Sequence, residues 1–184
     1  MIRAISYSAL LLAFAASAAA TPRPVPGGTK TMPAAAKPVT ANIINAEGKT
    51  VGTVTLAEAD HGVKVTLDIK SLPPGAHLMH IHQNAKCDPP DFKSAGPHFD
   101  PTGMGHGEHG PAAMPAGDIP NFVLNVKEDG TAHTSAVAPN VTMGTDKYSV
   151  FSNGGTAIVI HAVADKVTEA APPRIACAVI TKPE

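Results

Sequence analysis

Six of the chain's nine histidines fall between Gly75 and Asp118. Histidine is the side chain that most readily binds a transition metal or moves a proton near neutral pH. The densest run is His77-Leu78-Met79-His80-Ile81-His82. In an extended strand successive side chains face opposite sides of the sheet, so His80 and His82 share one face while Met79 and Ile81 share the other. Two imidazoles side by side are a ready pair of metal ligands. After Cys87 the chain adds His98, then His106, Glu108 and His109, then Asp118. Zinc and copper take nitrogen ligands with an occasional carboxylate, and this stretch supplies both. His161 closes a later apolar run and by itself reads as the polar end of a strand, while His61 and His133 read as solvated turn and strand positions.

The elements that must position these groups are short strands. Val63, Val65, Leu67 and Ile69 alternate with Lys64, Thr66 and Asp68, the period-two pattern of a half-buried strand. Further strands are expected over Thr40–Ile44, Thr50–Ala57, Phe122–Val126, Thr131–Val137, Thr156–His161 and Ile175–Thr181. Asn45–Gly48, Asp60–Gly62, Lys127–Gly130 and Ser152–Gly155 punctuate them as turns. No long helical period occurs, which argues an all-β antiparallel sandwich or barrel.

The first twenty residues carry Arg3, an apolar run from Ile5 to Ala16 and the small-residue end Ser17-Ala18-Ala19-Ala20, and read as a secretory signal peptide. The apolar run is too short for a membrane anchor, and Thr21-Pro22-Arg23-Pro24 follows it directly. Residues 21–38, rich in Pro, Gly and Ala, read as a flexible tether, and residues 39–184 as one domain. The expected location is the periplasm or another exported compartment, with no membrane association after signal removal. A net charge of -1 gives no basic footprint for nucleic acid. Cys87 and Cys177 are the only cysteines, and an even count in an exported chain points to a disulfide, with two buried thiols as the alternative.

Five ordered pieces resemble the copper/zinc superoxide dismutases in their bacterial exported branch. These are Gly75-Ala76-His77 with the His80/His82 strand, Ser94–Pro101 around His98, Gly117-Asp118-Ile119-Pro120-Asn121, Val159-Ile160-His161-Ala162, and Arg174–Ile180 around Cys177. The resemblance covers most of the chain after about Val39. It implies a Greek-key antiparallel β-sandwich or flattened barrel, an architecture for which this family is a standard example, with long metal-binding loops.

The same resemblance implies a site. His80, His82, His98 and His161 match copper ligands, with His98 the ring that bridges copper to zinc and acts in catalysis. Asp165 matches a carboxylate that links ligands of the two metals, and outer carboxylates of this kind fix imidazole orientation. Arg174 matches the arginine that attracts and orients the superoxide anion. His77 matches a histidine that bonds backbone and binds no metal. On the zinc side His98, His106 and Asp118 match ligands, but Pro115 stands where the fourth belongs. Proline cannot bind a metal, and a structural zinc site normally has four ligands, so zinc is expected to be weak or absent, with His109 or Glu108 as candidate replacements. The segment Ala162–Pro173 is also shorter than the family's usual channel loop. The resemblance therefore implies copper-dependent dismutation of superoxide, with a copper-binding or buffering protein of little activity as the alternative. Family members occur as monomers and dimers, so a homodimer is among the assemblies it allows.

Overall fold

The structure, a computed structural model, describes residues 36–103, 114–163 and 172–183. Among these are eight strands: β1 (Val39–Asn45), β2 (Thr50–Ala59), β3 (Gly62–Ile69), β4 (Gly75–His82), β5 (Leu124–Val126), β6 (Ala132–Ala138), β7 (Thr156–Val163) and β8 (Arg174–Ile180). They form one sheet in the order β5-β4-β7-β8-β1-β2-β3-β6, and every neighbouring pair is antiparallel. The two end strands, β5 and β6, are joined by a tight turn in which the Gly130 N–H donates to the Lys127 carbonyl at 2.9 Å. They also touch each other, so the sheet is a nearly closed barrel. The expected all-β sandwich is what the chain forms. Among the described residues no helix is long and apolar enough to cross a membrane.

Alternation in sequence becomes alternation in burial. Val63, Val65, Leu67 and Ile69 are at most 1% exposed, whereas Lys64 and Asp68 lie in solvent. The inward faces of β1 to β4 and β7 pack Ile43, Val54, Leu56, Leu67, Met79, Ile81, Ile158 and Ile160 into one apolar core. With no Trp and few aromatic side chains, branched aliphatics fill the interior. Burying each of them stabilises the fold by roughly 1.5–3 kcal/mol relative to exposure.

The strand expected from Phe122 begins two residues later, at Leu124. Asn121 takes a positive φ of 57° and the Phe122 N–H donates to the Ile119 carbonyl at 3.4 Å. A turn thus occupies positions whose side-chain pattern alone reads as strand.

The outward faces of β7 and β8 are covered too. Ala157, Val159 and Cys177 pack beneath Phe92 and Ala95, which belong to the loop after β4, and form a second apolar cluster. Cys87 in that loop is disulfide-bonded to Cys177 in β8, across a separation of 90 residues. The bridge and the cluster together hold the loop flat against the sheet. Closing a loop of that length stabilises by about 4–5 kcal/mol in the chain-entropy model. Replacing both cysteines (Cys87→Ser with Cys177→Ser) is expected to cost about 2–5 kcal/mol, read as a lowered urea midpoint with the fold retained.

Candidate metal centre

Strand pleating sets the site. Met79 and Ile81 enter the core, so His80 and His82 stand on the outer face of β4. In the β4/β7 register His80 lies opposite Val159 and His82 opposite Ala157. His161, two residues beyond Val159, shares that outer face. The loop supplies the fourth ring: His98 pairs with His82 through an isolated antiparallel bridge, and the Gln83 N–H donates to the Pro97 carbonyl at 2.9 Å. Residues 80, 82, 98 and 161 thus converge from two strands and a loop, each offering a nitrogen, and these four atoms lie within 4.8 Å of one another. The rings of His80 and His98 stack with centroids 4.1 Å apart, and those of His82 and His98 meet edge-on at 4.9 Å.

The outer nitrogens are tied to the protein. Nδ1 of His82 donates to the Gly96 carbonyl at 2.9 Å, and Nδ1 of His161 donates to the Pro172 carbonyl at 3.1 Å. Because a carbonyl only accepts, the proton of each ring sits on Nδ1 and the lone pair on Nε2. Those two Nε2 atoms are buried and make no hydrogen bond. A buried polar atom so placed is costly unless something binds it. Nδ1 of His98 is held by Asp118 at 2.6 Å, so Nε2 is the nitrogen it can offer to a shared ion.

Burial keeps two of the four rings neutral. Burial, above all, pushes His82 down to about 3, with the neighbouring His98, Arg174 and His161 adding to the effect. His161 is lowered for the same leading reason, desolvation, with smaller contributions from His98 and Arg174. Both rings therefore keep a metal-binding lone pair at neutral pH. Arg174, the first residue of β8, donates from its guanidinium to the Phe92 and Gly96 carbonyls, each at 2.8 Å. The Gly96 carbonyl thus receives both Arg174 and the ligand His82. His77 is 1% exposed and bridges the carbonyls of His161 at 2.9 Å and Pro73 at 2.8 Å. It bonds backbone on β7 and just before β4, as the resemblance implied.

Comparison with known proteins decides the family. The family model for copper/zinc superoxide dismutase (SODC) matches residues 50–180. The chain belongs to the copper/zinc superoxide dismutase family. It is 42% identical over 146 residues to Cu-Zn superoxide dismutase 2 of Aquifex aeolicus, spanning 76% of this chain and 84% of that one. It is 32% identical over 162 residues to the Cu-Zn superoxide dismutase of Escherichia coli K12, spanning 80% of this chain and 89% of that one. Among solved structures, a superoxide dismutase-like protein from Bacillus subtilis superposes with a TM-score of 0.66 at 33% identity, covering 76% of this chain and 96% of that one.

This family of oxidoreductases uses copper and zinc, and the four-histidine group here is able to bind a metal. An all-imidazole donor set with inward-facing buried nitrogens suits copper. The zinc side differs. Among the described residues only His98 and Asp118 remain of the expected zinc ligands, and they are closed on each other. A structural zinc site takes four ligands, and Pro115, at the position the resemblance gives to one of them, has no donor atom. Pro115 is buried in the turn just before Asp118. His106, Glu108, His109 and Asp165 lie outside the described residues. These described residues do not fit zinc as they stand.

Sequence reading missed the Gly96 and Phe92 carbonyls as partners of the site, since backbone groups carry no residue signature. The one available signal was glycine itself: Gly96 has a φ of 76°, a conformation that non-glycine residues seldom take.

The burial of His82 gives a pH prediction. Its pKa is lower folded, about 3, than the ordinary 6.5, so between these values the unfolded chain binds more protons. Stability must then fall as the pH falls through that window. Metal-stripped protein is expected to show a urea midpoint that drops from pH 7 to pH 4.5, and His82→Gln is expected to flatten that slope.

Proposed function

We propose that this chain dismutes superoxide at a copper centre in the periplasm, with His80, His82, His98 and His161 as the copper ligands. The observation that carries this reading is the convergence of four imidazole nitrogens within 4.8 Å, built by a chain of this family. In dismutation one superoxide gives up an electron and becomes dioxygen, while a second takes that electron and two protons and becomes hydrogen peroxide. Copper, when bound, supplies the one-electron exchange, which zinc cannot.

The protein's residues supply the rest. His80, His82 and His161 hold the ion, with the last two fixed in one tautomer by carbonyl groups and kept neutral by burial. When its Nε2 is not engaged by the ion, His98 is the ring suited to take a proton there and pass it to the product. Its Nδ1–H already faces the Asp118 carboxylate, and that charge would stabilise the imidazolium formed. Arg174 is a cation anchored beside the ligand cluster through the carbonyl it shares with His82. A fixed positive charge there draws in and orients a small anion.

The exported location is supported by the signal-like sequence of residues 1–20 and by the Cys87–Cys177 disulfide, since such bonds persist in oxidising compartments.

Copper-loaded protein is expected to accelerate superoxide decay in a stopped-flow assay, and His161→Ala to abolish that activity. Arg174→Ala is expected to lower kcat/KM by about tenfold and to flatten its dependence on ionic strength, as loss of electrostatic attraction requires. Full copper loading with no acceleration of decay would remove dismutation and leave a copper binder.

A further inference from the structure

We propose that Asp118 is the positioning residue for His98 in a centre that needs copper alone, its carboxylate doing for this imidazole what a zinc ion would otherwise do. This deepens the copper reading above and rests on it.

The contact itself is close and sheltered. Nδ1 of His98 donates to Oδ1 of Asp118 at 2.6 Å, and Asp118 is only 5% exposed. A carboxylate that accepts from a ligand's outer nitrogen fixes the tautomer and ring orientation and makes the metal-facing nitrogen more basic. Nε2 of His98 is then the lone-pair nitrogen, on the side of His80, His82 and His161.

Backbone bonds help to place both ends of the pair. The Phe99 N–H donates to the Ile81 carbonyl at 2.8 Å, the Gly117 N–H to the Phe99 carbonyl at 2.8 Å, and the Ile81 N–H to the Gly117 carbonyl at 2.9 Å. This closed ring of backbone bonds ties the neighbour of His98 and the neighbour of Asp118 to the residue between His80 and His82. Gly117 is needed for it, because a Cβ there would collide with the Ile81 carbonyl oxygen.

The turn that delivers Asp118 is built from the residue that zinc binding would have used. The Asp118 N–H donates to the Pro115 carbonyl at 3.1 Å, and Pro115 is buried. A proline ring stiffens the backbone at that position and offers no ligand atom. The position that the family resemblance gives to a zinc-binding imidazole here organises the loop locally, and the carboxylate beyond it closes on His98.

The test uses the full chain, stripped of metal and then loaded with copper(II) alone. Nitrogen-15 histidine NMR of the metal-free protein reads the His98 tautomer, and chelator competition with electron paramagnetic resonance reads the copper site. Wild-type protein is expected to hold His98 in a single Nδ1–H form. Asp118→Ala should lose that form, weaken copper binding by about 10–100-fold and alter the copper spectrum. Asp118→Asn, matched in size in case the alanine variant fails to fold, should show a mixed tautomer and an intermediate affinity, and Asp118→Glu should restore part of both. One equivalent of zinc added to copper-loaded wild type should leave the spectrum unchanged. An unchanged tautomer and affinity in both Asp118→Ala and Asp118→Asn would overturn the proposal, as would stoichiometric zinc binding that shifts the wild-type copper spectrum. If His161→Ala abolishes copper binding while the Asp118 variants do not alter it, this proposal alone fails. If His161→Ala also leaves copper binding intact, the copper reading fails with it.

Discussion

Pleating on β4 and β7 is the constraint from which the rest follows. Side chains of a strand must alternate between its faces. Once Met79, Ile81, Ile158 and Ile160 are committed to the core, His80, His82 and His161 have only the outer face available. An outer face carrying three imidazoles beside Ala157 and Val159 is neither polar enough to be left in water nor apolar enough to be sealed by hydrocarbon alone. The loop after β4 resolves this. Phe92 and Ala95 cover the apolar half, His98 joins the imidazole half, and the Cys87–Cys177 bridge keeps the cover in place. The metal centre is therefore the seam between a sheet and its covering loop.

That arrangement separates stability from chemistry. The barrel interior holds the strands in register without reference to the histidines, and the alternating strand β3, far from the site in the strand order, is as tightly buried as β4. The site in turn stores unfavourable terms that the interior must offset: two inward-facing imidazole nitrogens without hydrogen bonds, and rings held neutral by desolvation. Costs of this kind are typical of functional positions.

Much of this was legible in the sequence, for identifiable reasons. The alternation Val63 to Ile69 could only be a half-buried strand, and the placement of His80 opposite in face to Met79 and Ile81 followed from the same rule. His98 and His161 were different: nothing in their local patterns brings them to His80, and only the ordered resemblance to a family did so. Phe122 and Val123 read as strand because side-chain alternation is blind to the positive φ at Asn121. The partners of Arg174 were hidden because they are carbonyl groups. Asp118 was read toward a zinc ion, and the ring of backbone bonds that sets it against His98 is encoded by no side-chain motif. Apart from His77, whose backbone bonds the resemblance supplied, residues whose partners are side chains of telling type were found and those whose partners are main chain were not.

The carbonyl of Gly96 receives a hydrogen bond from His82 and another from Arg174. One oxygen atom thus joins the group that would grip the metal to the group that would summon its substrate. Displacing that carbonyl would loosen both contacts at once, so affinity for the ion and attraction for the anion would change together.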